Sequence, residues 1–151
     1  MIILERKAYH SQNTSPEEQR AIQMRMYFES PQIMVWNEMP MTTLFQLELF
    51  KARYAEVTVG KDRFSMVVNI VRTQFPGSEY RSSLIHFLLK ETQQVNCFFM
   101  ATGNSRLKNA STSLIAKIAG VNHVEIYSTY QKALEKARAF EAQRLAKRPK
   151  S

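Results

Sequence analysis

Two short segments hold the side chains best suited to recognition chemistry, QFPGSEYR at residues 74–81 and ATGNSRLK at residues 101–108. Each follows an apolar β-type run and precedes a helical pattern, so each is a predicted strand-to-helix junction. At the first, the Ser78 hydroxyl can accept a hydrogen bond from an N–H of the opening turn, or carry a phosphate that the helix dipole stabilises. At the second, Asn104 or Ser105 can cap the next helix.

The two junctions should meet at the carboxyl edge of a parallel sheet, which is where open α/β sheets bind ligands and partners. An arginine in the first turn of each helix adds positive charge there. The sequence therefore predicts a partner-binding surface made by Ser78, Glu79, Arg81, Asn104 and Arg106.

The other polar residues do not form a recognisable catalytic or metal-binding pattern. The histidines His10, His86 and His123 stand in unrelated contexts, and none has a second ligand at metal spacing. The lone Cys97 lies in an apolar run, where thiols are usually inert, and the four glycines do not form a phosphate loop. These observations predict a protein that is not an enzyme and that uses no metal or cofactor.

The chain has 151 residues and a formal net charge of +8, and the basic excess lies in its second half. Residues 121–151 carry seven basic and three acidic side chains, which raises the prospect of an acidic partner. Nucleic acid is the alternative partner, and it would contact Lys136, Arg138, Arg144, Lys147 and Arg148. Against this alternative, Glu135 and Glu141 interrupt the basic helix and no aromatic platform is interleaved.

Membrane and secretion signals are not evident in the sequence. No apolar run approaches the roughly 20 residues that a membrane helix needs, and the charged residues 1–10 lack a small-residue cleavage site. A single cysteine allows no disulfide within the chain. We therefore expect a soluble protein of the cytoplasm that has no membrane span.

The N-terminal part of the sequence predicts an arm over residues 1–20, followed by a β-hairpin. In residues 22–29 apolar and polar side chains alternate, which is the period of a half-buried strand. A Ser-Pro-Gln turn then leads into the apolar run IMVWNEM. A helix over residues 16–29 is the alternative, because Pro16 follows a serine and precedes two glutamates.

Residues 21–145 are predicted to form one α/β domain, and residues 146–151 a basic tail. After a helix that Thr42 or Thr43 caps, the apolar runs RFSMVVNIV, VNCFFMA and HVEIY predict strands separated by helices. The helix between the last two runs has an apolar stripe formed by Leu107, Ala110, Leu114 and Ile118. The order ββαβαβαβα predicts a mostly parallel sheet with an N-terminal antiparallel hairpin.

This order of elements, the two junctions and the closing segment SRLKNASTSLIAKIAGVNHVEIYSTYQKALEKA together resemble the STAS domains, the family that includes bacterial anti-sigma factor antagonists and SpoIIAA-like domains. The resemblance covers roughly residues 21–145. In that family an Asp-Ser-Ser-Gly-type segment opens the second helix, and a partner kinase phosphorylates its serine. Residues 77–80, Gly-Ser-Glu-Tyr, lie over that segment, so the resemblance assigns the phosphoacceptor position to Ser78.

The resemblance implies a bacterial, non-enzymatic signal-transduction module that makes protein–protein contacts with a regulator or a kinase-like partner. A homodimer is compatible with it. Charge at Ser78 would switch docking, and Glu79 offers a standing negative charge. A carrier of a small apolar ligand or lipid is a further alternative, and it would need a sizeable cavity between the helices and the sheet.

Overall fold

The computed structural model describes residues 15–74, 76–121 and 123–147, which form a five-stranded mixed sheet and five helices. The helices are α1 (Pro16–Arg25), α2 (Leu44–Val57), α3 (Ser78–Glu91), α4 (Arg106–Ile118) and α5 (Tyr130–Ala146). The strands are β1 (Met26–Ser30), β2 (Ile33–Asn37), β3 (Phe64–Asn69), β4 (Val95–Ala101) and β5 (Val124–Tyr127). The predicted α/β class, with a mostly parallel sheet and an antiparallel N-terminal hairpin, is confirmed.

The N-terminal segment differs from the leading prediction of an arm to residue 20 and a strand over residues 22–29, because residues 16–25 form helix α1. The alternative, a helix over residues 16–29, is correct up to Arg25. The Ser15 hydroxyl accepts a hydrogen bond from the Glu18 N–H at 3.2 Å, and Pro16 occupies the first turn. This capped start favours the helix over the strand that the alternating pattern predicts. The domain boundary proposed after residue 20 therefore falls inside α1, and the earlier part of the predicted arm lies outside the described residues.

The strands follow one another across the sheet in sequence order, from β1 to β5. Strand β1 pairs with β2 antiparallel, and β2 to β5 are parallel. Helices α2 and α3 pack on one face of this sheet, and α4 closes the same face beside them. Because each parallel crossover moves one strand in the same direction across this face, the three crossovers share one hand.

The two faces of the sheet carry different cores. On the face of α2 and α3, Trp36 packs against Phe50 and Phe87, with ring centroids 5.3 Å and 6.3 Å apart. On the other face, α5 packs through Ala133 and Ala137 onto β3 and β4. Small alanines allow a close helix-to-sheet contact, so a single helix is enough to cover that face.

Helix α4 is the least buried of the helices that cover the sheet. Its predicted apolar stripe exists, but Leu107, Leu114 and Ile118 are 58%, 58% and 57% exposed. The side that faces the sheet carries Ile115 and Ala116 together with serine and threonine. The stripe is therefore not the buried face of α4, and it needs another explanation.

Candidate functional site

The carboxyl ends of β2, β3 and β4 lie side by side, so the two strand-to-helix junctions do share one edge of the sheet. Asn37 is the register partner of Asn69, and Asn69 is the partner of Ala101. The Asn69 side-chain amide donates to the Asn37 side-chain oxygen at 3.2 Å. Helix α3 starts after β3 and helix α4 starts after β4, which places both helix N-termini at this edge.

Ser78 occupies the first turn of α3 but does not cap the helix. Gly77 is the N-cap residue, and its carbonyl accepts a hydrogen bond from the Arg81 N–H at 3.1 Å. The interpretation of Ser78 as the capping residue is therefore wrong, because the hydroxyl lies one position beyond the cap. Ser78 and Glu79 are exposed, and Arg81 is partly buried in the same turn.

The second junction assigns different roles to its polar residues. Ser105 is the cap of α4, since its hydroxyl accepts from the Lys108 N–H at 3.2 Å, and Asn104 occupies the preceding turn with a φ of 64°. The Lys108 ammonium donates to the carbonyls of Ile70 and Val71, each at 2.8 Å. Lys108 therefore ties α4 to the end of β3, while Arg106 is exposed.

The flank of α3 that faces α4 is apolar beyond its first turn. Ser83, on the opposite flank, accepts a hydrogen bond from Lys51 of α2 at 2.7 Å. Since α3 lies between α2 and α4, and side chains four residues apart share a flank, Arg81, Ile85 and Leu89 point toward α4. Leu89 is 49% exposed, which is unusual for a leucine between two helices.

The flank of α4 that faces α3 carries the exposed stripe. Ser113 lines a shallow groove beside β5, which is on the outer side of α4. At about 100° per residue, Leu107, Leu114 and Ile118 lie about 100–140° around the helix from Ser113, on the side toward α3. We call the space between the two apolar flanks the α3/α4 groove, and its rim is formed by Ile85, Leu89, Leu107, Leu114 and Ile118.

Beneath the α3/α4 groove lies a partly open cavity of about 110 Å³, with walls that are almost wholly apolar. The sheet provides its floor, and α3 and α4 provide its sides. Among its lining residues are Trp36, Val68, Phe98, Leu84, Leu88 and Ile115. A cavity between the helices and the sheet is the feature that the ligand-carrier alternative requires.

A buried pair of polar side chains closes the end of the cavity at the carboxyl edge. Glu38, which is 8% exposed, follows β2, and its carboxylate accepts hydrogen bonds from the Tyr80 hydroxyl and, at 2.8 Å, from the Met39 N–H. Burial raises the pKa of Glu38, although these hydrogen bonds act in the opposite direction. Burial also raises the pKa of Tyr80, and the neighbouring carboxylate adds to that effect.

Two arginines on the basic helix α5 are engaged by acidic side chains of the fold. Arg138 pairs with Glu29, and the Arg144 guanidinium donates to the buried carboxylate of Glu141 at 2.8 Å. Lys136 and Lys147 are exposed, whereas Arg148 lies outside the described residues. Two of the predicted phosphate contacts are therefore engaged within the fold, which weakens the nucleic-acid alternative.

The described ranges contain no cluster of side chains suited to bind a metal ion. No group of three or more His, Cys, Asp or Glu side chains in residues 15–74, 76–121 and 123–147 is arranged to hold a metal ion. Cys97 is buried, and desolvation together with nearby Glu125 raises its pKa to about 12, so a thiolate is strongly disfavoured. Within the same ranges, no helix is both long enough and apolar enough to cross a membrane.

The predicted partner-binding residues and the cavity share the carboxyl edge, but the sequence did not single out the cavity's polar residues. Tyr80 and Lys108 border the cavity from the first turns of α3 and α4, next to Ser78, Arg81 and Arg106. The signal for the missed pair of Glu38 and Tyr80 was an acidic residue directly after an apolar strand, in WNEMP.

Comparison with known proteins yields no relative for this chain. No protein-family model, curated protein or solved structure matches it.

Proposed function

We propose that this chain is a cytoplasmic, non-enzymatic interaction module of STAS-like type that binds a helical segment of another protein in the α3/α4 groove. The observation that carries the proposal is the exposure of Leu107, Leu114 and Ile118, each more than half accessible, on one flank of α4. Contiguous exposed apolar surface on a soluble domain marks a site of interaction. An amphipathic helix laid into such a groove would bury these side chains together with Leu89.

The length of the stripe suits a short helix. Residues 107 and 118 are separated by roughly 16 Å along α4, at a rise of about 1.5 Å per residue. A partner helix of about three turns would cover this distance with two or three apolar side chains on one face. The groove therefore favours a short linear segment over a broad, flat interface.

Charge around the stripe favours an acidic partner. Helix α4 carries Arg106, Lys108 and Lys117 and no acidic residue. Lys108 is engaged by carbonyls of β3 and its following turn, but Arg106 and Lys117 are exposed near the two ends of the stripe. A second copy would bring α4 against α4, and like charges would then meet, whereas glutamates flanking an apolar helix face would be attracted.

Ser78 supplies a point at which docking could be regulated. It is exposed in the first turn of α3, at the carboxyl-edge end of the groove, and Arg81 follows in the same turn. Phosphate at this position would be stabilised by the N-terminus of α3 and would repel an acid-flanked partner. The resemblance to STAS domains supports the same serine, and Glu79 adds negative charge beside it.

The test uses two synthetic amphipathic helical peptides with identical leucine faces. One has glutamates flanking that face and the other has lysines. We expect the glutamate peptide to bind at least about tenfold more tightly, measured by fluorescence anisotropy at low and moderate salt. Leu114→Asn should abolish binding, and Lys117→Glu should reverse the preference between the peptides.

Matched variants on α5 provide the control. Leu145→Asn and Lys136→Glu change the same residue types at exposed positions outside the groove, and both should leave binding unchanged. Equal affinity for the two peptides, or equal loss from the α4 and α5 variants, would contradict docking in the α3/α4 groove.

A further inference from the structure

We propose that the cavity beneath α3 and α4 is a binding site for a small, uncharged, mainly apolar molecule that carries one hydroxyl group, of the size and chemistry of a simple phenol. The site goes beyond the docking of a protein segment, because it depends on residues inside the fold and not on the exposed stripe. The two activities can therefore be tested separately.

The size of the cavity limits the ligand to about one ring. Its volume is about 110 Å³, and it is partly open. An engineered apolar cavity of about 150 Å³ in another protein takes up benzene. A partly open cavity of this size fits a single small ring, and it is too small to enclose a long acyl chain.

The walls favour an apolar body. Val68 and Phe98 from the sheet, Leu84 and Leu88 from α3, and Ile115 from α4 surround the space. Apolar surface that is removed from water on both the ligand and these side chains contributes to binding at about 25 cal/mol per Å². Water, in contrast, would find few hydrogen-bond partners along these walls.

Trp36 adds apolar surface to the wall but no donor that a ligand can reach. Trp36 lines the cavity and is only 3% exposed, and its indole N–H has no hydrogen-bond partner among the described residues. The indole nitrogen is itself enclosed by protein atoms, so a ligand in the cavity would contact the ring and not the N–H.

A hydrogen-bond acceptor lines the cavity and calls for a donor on the ligand. Glu38 lies two residues after Trp36, so both side chains are on one side of the strand, and both line the cavity. A hydroxyl group can donate to a carboxyl oxygen of Glu38, whereas a hydrocarbon cannot.

The wall also disfavours an anion. Lys108 is the cation that lines the cavity, and its ammonium is already held by the carbonyls of Ile70 and Val71. The carboxyl of Glu38 would repel a second carboxylate in this low-dielectric site. A neutral phenol is therefore favoured over a benzoate of similar size.

The experiment titrates phenol, toluene and benzoate into the full chain and follows backbone amide shifts by NMR. We expect phenol to bind at least about tenfold more tightly than benzoate and severalfold more tightly than toluene. The shifted amides should belong to β2, α3 and α4. Absence of saturable phenol binding, or binding of benzoate as tight as that of phenol, would overturn the proposal.

Two serines of α4 provide a matched pair of variants. Ser111 lines the cavity, whereas Ser113 is exposed on the outer side of the helix. Ser111→Leu should fill the space and lower phenol affinity at least about tenfold, while Ser113→Leu should leave it unchanged. Equal phenol affinity in both variants would overturn the assignment of the site. Val68→Leu provides a second cavity-filling variant.

The glutamate-flanked peptide keeps the two activities distinguishable. Ser111→Leu leaves the exposed stripe intact, so this variant should still bind the peptide. Loss of phenol binding with retained peptide binding would support a ligand site separate from docking. Loss of both together in a folded variant would contradict that separation.

Discussion

Filling the cavity should stabilise the protein, and Ser111→Leu is the most direct perturbation. Ser111 lines the cavity from α4 and is only partly buried. Leucine adds three carbons at the end of the side chain, and each buried CH₂ group contributes about 0.8 kcal/mol. Ordering the leucine costs about 0.5–1 kcal/mol in side-chain entropy. The expected net gain in unfolding free energy is therefore about 1.5 kcal/mol.

The volume of the cavity gives an independent ceiling for this gain. Empty apolar space costs about 24 cal/mol per Å³ in large-to-small core substitutions. A cavity of about 110 Å³ thus corresponds to about 2.6 kcal/mol at most. The gain of about 1.5 kcal/mol expected from the buried carbons lies below this ceiling.

The assay is urea unfolding of the wild type, Ser111→Leu and Ser113→Leu, supported by thermal melting. The Ser113 variant has the same change in helix propensity without filling the cavity, and its unfolding free energy should stay within about 0.5 kcal/mol of wild type. The Ser111 variant should melt about 3–6 °C higher. A loss of about 1–3 kcal/mol in the unfolding free energy of Ser111→Leu would indicate overpacking, and it would contradict the presence of a cavity that leucine can fill.

Three further changes test the polar residues at the carboxyl edge. Burial raises the pKa of Glu38 above 4.5, so the stability that this carboxyl contributes is present below that pH and is lost as the pH rises through the folded-state pKa. In urea melts across this pH range, the unfolding free energy of Glu38→Gln should rise relative to that of wild type as the pH rises. Tyr80→Phe removes a donor from the buried carboxyl and should cost about 1–3 kcal/mol in urea melts. Ser78→Asp should raise stability by about 0.3–1 kcal/mol through the α3 dipole and weaken binding of the glutamate-flanked peptide severalfold, whereas Ser82→Asp, beyond the first turn, should add no such stability.

Much of the fold could be predicted because strands buried on both faces have a distinctive sequence. Val95–Ala101 coincides with the predicted apolar run VNCFFMA, and the hairpin and the helices from Leu44 onward also follow the prediction. The predicted strand over residues 22–29 is wrong for residues 22–25, and the cause is local. Ile22 and Met24 alternate with polar neighbours as in a strand, yet the structure buries Ile22 and leaves Met24 71% exposed on a capped helix.

The candidate site was predicted only in part. Its junction residues and its cavity depend on different kinds of information. Junction residues such as Ser78 and Arg106 follow from the order of elements, which the sequence carries. The orientation of α4 does not, since apolar residues occur on both of its sides and only packing decides that Ile115 faces the sheet while Leu114 faces the groove. A cavity is a property of side chains distant in sequence, so Trp36 and its unpaired N–H could not be singled out.

The most direct test of docking in the α3/α4 groove is site-specific photo-crosslinking in living cells. A photoreactive residue would replace Ala110, which is exposed within the stripe on α4, and in a control it would replace the exposed Ala142 on α5. We expect position 110, but not position 142, to form a crosslink to an acid-flanked amphipathic segment of another protein. Crosslinks from position 110 to a second copy of this chain, or no more crosslinking there than at position 142, would contradict it.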